Sequence, residues 1–202
     1  TGAHCRRAVR DTGKNQYDPG CRGINMGKIV FLMGKSSTGK DTVFKELLDQ
    51  EDLGLKVIIT YTTRPIRDGE MQGQEYFFVD EEAFQKLKER GRVIEDRLYH
   101  TCHGPWRYFT VDDGRIDLEN GNYIMIGTLE SYLKNREYFG EDKLLPVLIE
   151  LDDGERLQRA LDREKNQDQP KYDEMCRRFL ADGEDFSQEN IAAAGIKQKF
   201  YN

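Results

Sequence analysis

KIVFLMGKSSTGKDTVFKELL, residues Lys28 to Leu48, joins an apolar run to a glycine loop and then to a run with helical spacing. Within it, Gly34-Lys35-Ser36-Ser37-Thr38-Gly39-Lys40 fits the first seven places of G-x-x-x-x-G-K-[ST], the Walker A phosphate loop. Ile29 to Met33 reads as a buried parallel strand, and Val43, Phe44, Leu47 and Leu48 fall on one face of a helix. Glycine lets backbone N–H groups turn inward around phosphate oxygens, the helix N-terminus adds partial positive charge, and Lys40 adds a full one. The expected ligand is therefore a polyphosphate, held by Gly34, Lys35, Ser36, Ser37, Thr38, Gly39, Lys40, Asp41 and Thr42.

Asp41 stands where the motif places a Ser or Thr whose hydroxyl reaches Mg²⁺. Two readings stand. A carboxylate is a hard-oxygen ligand and suits the first turn of a helix, so Asp41 can take the metal contact. Alternatively it caps the helix.

At 202 residues the chain suits one well-buried α/β domain with small inserts. Charged residues make up 34% and hydrophobic ones 37%, as in a soluble globular protein, and no apolar run approaches the length of a membrane span. The net charge is −6, but residues 1–25 carry five basic (Arg6, Arg7, Arg10, Lys14, Arg22) and two acidic residues (Asp11, Asp18), +3, which leaves −9 for the remainder. An acidic body argues against a nucleic-acid partner. Cys5, Cys21, Cys102 and Cys176 form no C-x-x-C pair, so free thiols in a reducing cytoplasm are expected.

Residues 1–25 lack hydrophobic periodicity and the apolar core of a secretion signal; they read as a disordered or non-native extension, with Met26 as the natural start. Leu55–Thr60 reads as a second buried strand that runs into Arg64-Pro65-Ile66-Arg67. Ligands of open α/β sheets sit beyond the carboxyl ends of strands, so Arg64 and Arg67 there can form a bidentate clamp on a second phosphate. Glu75–Val79 reads as a short strand, Asp80–Arg90 as a helix capped by Asp80, and Arg107–Val111 as a further strand after a connecting segment that holds His100 and His103. Residues 61–118 thus read as an insertion beside a parallel core.

The core resumes at Asn122–Ile126, followed by a helix capped by Thr128, and at Leu144–Leu151, followed by a helix capped by Asp152 or Asp153. Arg156, Arg159 and Arg163 project around that helix. Tyr172–Phe186 reads as another helix, bearing Arg177 and Arg178, after the polar loop Asn166–Pro170. Arginines on two helices beside a phosphate loop suggest a mobile lid over about 154–186 that brings positive charge onto a transferring group. Gly195–Asn202 reads as the start of a final strand, with a closing helix beyond it.

With these pieces placed, Thr62-Thr63-Arg64-Pro65-Ile66-Arg67-Asp68-Gly69-Glu70-Met71-Gln72-Gly73-Gln74-Glu75-Tyr76-Phe77-Phe78-Val79 resembles the guanylate kinase signature T-T-R-x-x-R-x-G-E-x-x-G-x-x-Y-x-F-V at every fixed place. Met175-Cys176-Arg177-Arg178-Phe179 with Glu184 is similar to the family's lid segment, and the resemblance spans about residues 26–186. It implies a three-layer α/β P-loop kinase core in a single domain over 26–202, with a small mixed monophosphate-binding insertion and a helical lid. By position, Arg64, Arg67 and Tyr76 would hold the acceptor phosphate, Glu70 would organise the closed site, and Glu95 would accept hydrogen bonds from the base. Lys40 would hold ATP phosphates with Mg²⁺ at Asp41, and Arg163, Arg177 and Arg178 would neutralise charge in transit.

Two departures fall on the base-reading side. Cys102-His103-Gly104-Pro105 stands where the family has Tyr-Tyr-Gly-Ser/Thr, leaving His103 as a substitute donor, and Ile124 to Leu129 lacks the family's acid pair. A site that loses base-pairing partners can lose discrimination by up to about 10⁴-fold. The leading expectation is ATP-dependent phosphoryl transfer to a nucleoside monophosphate, GMP first. The alternatives are a kinase for another small phosphorylated acceptor, or a non-catalytic binding module, which the intact Gly34, Gly39 and Lys40 disfavour.

Overall fold

The computed structural model describes residues 27–67, 69–101 and 104–202. The expectations for residues 1–25, Met26, Cys102 and His103 lie outside them. Along the chain run β1 (Ile29–Met33), α1 (Lys40–Leu48), a 3₁₀ turn (Glu51–Leu53), β2 (Leu55–Val57), β3 (Tyr61–Thr62), β4 (Phe77–Phe78), α2 (Glu81–Glu89), β5 (Val93–Thr101) and β6 (Gly104–Val111). Then follow β7 (Asn122–Ile126), α3 (Leu129–Phe139), β8 (Leu144–Glu150), α4 (Asp153–Lys165), α5 (Tyr172–Asp185), α6 (Gln188–Ala193) and β9 (Lys199–Tyr201).

Five strands form a parallel sheet in the order β2-β7-β1-β8-β9. Its middle strand is β1, which explains the near-continuous apolar run from Ile29 to Met33: both faces are covered. Ile29, Phe31 and Met33 point to one face and pack with Leu129, Tyr132, Phe186 and Ile191 from α3, α5 and α6. Phe31 and Tyr132 meet edge to face at 5.5 Å between ring centres. Burying a side chain of this size contributes roughly 1.5–3 kcal/mol. On the other face Val30 and Val147 line an apolar groove together with Val43 and Leu47 of α1. No α1 residue is fully buried.

A second, mixed sheet in the order β4-β3-β6-β5 grows from the chain between β2 and β7. Tyr61, Phe84, Phe109 and Val111 make its own small core beneath α2. Caps follow the side-chain logic of the sequence: Asp80, Thr128 and Asp152 each accept from backbone N–H groups at the starts of α2, α3 and α4.

Several expected boundaries change. The strand expected over Leu55–Thr60 pairs only over Leu55–Val57, because the chain then leaves the first sheet for the second, and that expected over Glu75–Val79 pairs only over Phe77–Phe78, the length of its two-residue partner β3. β2 is also separated from β1 by β7, so the arginine turn does not end a neighbouring strand. The segment expected to connect Glu95 to Arg107 is instead most of a long antiparallel pair, with His100 inside β5 and Pro105 opposite it. Proline is accommodated because β3 pairs with β6 only at Tyr108 and Phe109, which leaves the Pro105 end of the strand without a partner on that side. Leu157 is not a core residue of α4 but 41% exposed, while Arg156 takes the buried face. Helix α6, a short segment capped by Ser187, has no counterpart in the sequence reading.

Candidate active site

The phosphate loop leaves β1 at Gly34 and enters α1 at Lys40, as its motif requires. Gly39 occupies the N-cap with φ +88°, a left-handed conformation open to glycine. An added Cβ there would lie 2.2 Å from the Asn202 amide nitrogen. At Gly34 a Cβ would lie 2.4 Å from the Ile149 carbonyl oxygen on β8. Ser37 is the one non-glycine residue with positive φ among the described residues, at +65°. Thr38 stiffens the turn, its hydroxyl donating to the Lys35 carbonyl at 2.9 Å.

Asp41 does not cap α1. The cap position belongs to Gly39, which has no side chain to offer, and Asp41 sits exposed in the first helical turn. Thr42 is exposed beside it. Lys40 is partly buried, and burial lowers its pKa against the opposing pull of Asp41 and Asp182; the charges of Arg163 and Arg156 lower it further. Lys40, Asp41, Asp182, Arg163 and Arg156 therefore share one electrostatic environment.

A network absent from the sequence reading holds the loop's outer edge. The Ser36 N–H donates to the Asp182 carboxylate of α5 at 2.7 Å. Arg156, only 1% exposed, donates from Nε to the Ser36 carbonyl (3.0 Å), from one amino group to Asp182 (3.2 Å) and from the other to Asp153. Its guanidinium also lies over the Phe179 ring at 4.7 Å. Lys35 bridges to Asp153 at 3.3 Å. From the far end of the chain, Asn202 donates its amide to the Thr38 carbonyl at 2.9 Å. Sequence spacing gives no signal for these contacts, since they join loop, α4, α5 and β9 across more than a hundred residues.

The loop fits a polyphosphate. The Ser37 hydroxyl is buried with no protein partner, an orphaned polar atom that an anion's oxygens would satisfy. For Mg²⁺, Asp41 offers a hard oxygen on the exposed helix turn. No group of three or more His, Cys, Asp or Glu side chains is placed to hold a metal among the described residues, which suits an ion ligated chiefly by phosphate and water.

On the second sheet, Arg64 is 3% exposed and forms a two-pronged pair with Glu70, Nη1 to Oε2 at 2.9 Å and Nη2 to Oε1 at 2.8 Å. The Arg67 N–H donates to the same carboxylate at 2.8 Å, while its side chain is exposed. Arg64 holds the Glu70 carboxyl below the usual carboxylate range. The clamp expected of Arg64 on a phosphate is thus closed on a carboxylate, because Glu70 supplies the planar partner a guanidinium fits best. Arg64 also lies over Tyr76 (5.5 Å) and Phe78 (5.4 Å).

Glu95 is buried, and its carboxylate accepts from Thr110 Oγ1 (2.7 Å), Ser131 Oγ (3.0 Å) and Arg97 Nε (3.1 Å). On α5, Arg177 and Arg178 both bind Glu174, at 2.8 and 2.9 Å, and pull its carboxyl down to about 2. Arg163 lies exposed in the last turn of α4. The structure thus brings Lys40, Asp41 and Arg163 into one region and Arg64, Glu70 and Tyr76 into another. Burial pushes the Tyr99 hydroxyl of β5 up, with the charge of Arg97 opposing and that of Asp185 adding to the shift.

Comparison with known proteins follows this geometry. Residues 26–103 match the family model described as guanylate kinase. A guanylate kinase of Syntrophomonas wolfei is 41% identical over 106 residues, 51% of each chain. One from Caldanaerobacter subterraneus is 32% identical over 124 residues, 60% of this chain and 58% of that relative. The chain's matched segment spans little more than half the length of these relatives. The crystal structure of guanylate kinase from Anaplasma phagocytophilum superposes with a TM-score of 0.55 over 88% of this chain and 78% of its own, at 21% identity, a likeness of fold. Residues 26–103 are thus similar in sequence to guanylate kinases, and the chain shares the α/β fold of the Anaplasma phagocytophilum structure.

Proposed function

We propose that the chain catalyses ATP-dependent phosphoryl transfer to a nucleoside monophosphate, with GMP the acceptor to which the relatives' names point. The observation that carries this reading is the pairing of an intact phosphate loop on the central strand with a separate arginine-bearing sheet inserted between β2 and β7. Transfer between two anions needs positioning and positive charge more than covalent chemistry. ATP would supply the phosphoryl group.

In this reading the loop N–H groups, the Ser37 hydroxyl and Lys40 bind the donor's phosphates, and Asp41 with Thr42 orients Mg²⁺ from the first turn of α1. Burial has already lowered the pKa of Lys40, so an arriving polyphosphate restores its preference for the charged form. Arg64, Arg67 and Tyr76 bind the acceptor phosphate. For Arg64 this means exchanging or sharing Glu70, whose place in the closed site is to hold that guanidinium planar and aimed until an acceptor arrives. Arg163, Arg177 and Arg178 on α4 and α5 supply charge from the lid side, Arg177 and Arg178 by leaving Glu174. The domain plan is a core over 26–202 with an acceptor-binding insertion near 61–118 and a lid near 154–186. The setting is cytoplasmic, and no described helix is long and apolar enough to cross a membrane.

The test is ADP formation from ATP and Mg²⁺ on addition of single nucleoside monophosphates, with binding of each nucleotide followed by calorimetry. Turnover that requires both nucleotides supports the reading. Binding of a monophosphate without any turnover would assign a binding module instead.

A further inference from the structure

Strand β5 turns Glu95, Arg97 and Tyr99 to one face, at the two-residue period of an extended chain. Across the pair, β6 sets Thr110 opposite Glu95, Tyr108 opposite Arg97 and Trp106 opposite Tyr99. Tyr108 stacks edge to face with both Tyr76 (5.6 Å) and Tyr99 (5.7 Å). The face is therefore a shallow cup of three tyrosines with an arginine at each side, Arg64 and Arg97.

Glu95 is the carboxylate in this cup that could accept N–H groups from a base, and it is already occupied. Its Oε1 accepts from Thr110, Ser131 and, at 3.5 Å, from Arg97 Nη2; its Oε2 accepts from Arg97 Nε. A carboxylate has about four lone-pair sites: Oε1 is fully taken, and Oε2 keeps one, too few to receive two donors side by side. Arg97 is anchored a third time, by Nη1 to the Thr128 hydroxyl at 3.3 Å, and its side chain is 13% exposed. Guanine presents N1–H and an amino group, two donors that need an acceptor. To meet Glu95 they must displace Arg97 from a largely buried pair, and an unpaired buried guanidinium is costly. The charged groups that remain on offer, Arg64 and Arg97, are donors only, and beside them stand tyrosine hydroxyls and ring faces.

We propose that Arg97 is a specificity-determining residue: by occupying Glu95 it reverses the hydrogen-bonding sense of the base seat. The cup then selects a monophosphate whose base presents carbonyl oxygens over one that presents an amino group. Xanthosine monophosphate, with a carbonyl where guanine has its amino group, fits that chemistry, and so does uridine monophosphate. The inference rests on the reading of this cup as the acceptor seat.

The full chain is titrated calorimetrically with GMP, XMP and UMP, and the same three are assayed as acceptors with ATP and Mg²⁺. The wild type is expected to favour XMP or UMP over GMP by at least tenfold in Kd. Arg97→Ala should free the carboxylate and improve GMP binding at least tenfold while weakening the other two. Arg97→Lys should keep the wild-type order. In the Arg97→Ala background, Glu95→Gln should cancel the gain for GMP, since a double-mutant cycle isolates that pair. A wild type that prefers GMP, or an Arg97→Ala variant that binds GMP no better while retaining the wild-type melting temperature, would overturn the proposal. Loss of folding in Arg97→Ala leaves the wild-type order and Arg97→Lys to decide it. If no acceptor is phosphorylated, the kinase reading fails by itself, and the binding order still decides the role of Arg97.

Discussion

The two halves of the site are built from different material. The phosphate loop is made of backbone, with glycine geometry at Gly34 and Gly39 and a helix end, to which Lys40 adds its charge. The second sheet is made of side chains, and its buried arginines are already paired with carboxylates, Arg64 with Glu70 and Arg97 with Glu95. Backbone chemistry is written directly into a sequence motif, because the same few residue types always give the same turn. Side-chain chemistry depends on which partners the fold brings near, and a motif shows only one partner at a time.

Breaking the first half should have the largest effect. Lys40→Ala removes the loop's charge at the start of α1 and leaves only Lys35, which is bridged to Asp153; ATP-dependent turnover should fall on the order of 10³-fold, with ATP binding lost by calorimetry and monophosphate binding retained. Equal loss of both ligands would erase the distinction between the halves.

Next comes the second sheet. Arg64→Ala leaves Glu70 without its two-pronged partner in a mostly buried place and should lower unfolding free energy by about 3 kcal/mol in a denaturant titration. Acceptor affinity should drop and ATP affinity should not.

A smaller effect is expected at the loop's turn. Gly39→Ala forces a side chain into φ +88° and against Asn202, and should destabilise the fold by about 1–2 kcal/mol while weakening ATP more than the monophosphate. The loop then behaves as geometry and not as charge alone.

The smallest concerns α5. Glu174 titrates near 2 in the folded chain against an ordinary 4.5, so its contribution is fully present above about pH 4.5 and is lost as pH falls toward 2. The group is 41% exposed and its arginines more than half exposed, so screening limits the effect to a few tenths of a kcal/mol. Glu174→Gln should flatten that part of the acid-unfolding curve. It should also leave Arg177 and Arg178 free to act on a bound nucleotide, which a rise in turnover would reveal.

The sequence made the central strand, the loop and the α1 face legible, because Ile29 to Leu48 carries apolar periodicity and motif together. It also set residues 61–118 apart by their short strands and single helix, and most of that stretch forms the second sheet with α2. Asp41 was misjudged as a possible cap because the motif counts residues, whereas capping depends on which residue breaks helical geometry, and that is Gly39. The long β5–β6 pair was hidden by Pro105 and by the histidines, which resemble loop composition. Arg156 and Asp182 were beyond reach for another reason. Each looks like ordinary helix surface until α4 and α5 are folded against the loop, and no local pattern marks a polar residue whose partner lies 120 or 146 positions away.

That last contact has a consequence for how the protein responds to load. The Ser36 N–H and the Asp182 carboxylate tie the first turn after β1 to the last turn of α5, so movement of the loop is coupled to movement of the helix. Linkage then runs both ways: if filling the loop loosens the grip of Asp182 and alters a ligand's affinity at α5 by some factor, that ligand must alter nucleotide affinity by the same factor. Amide exchange along α5 therefore becomes a readout of what the loop holds, measured at a distance from any phosphate.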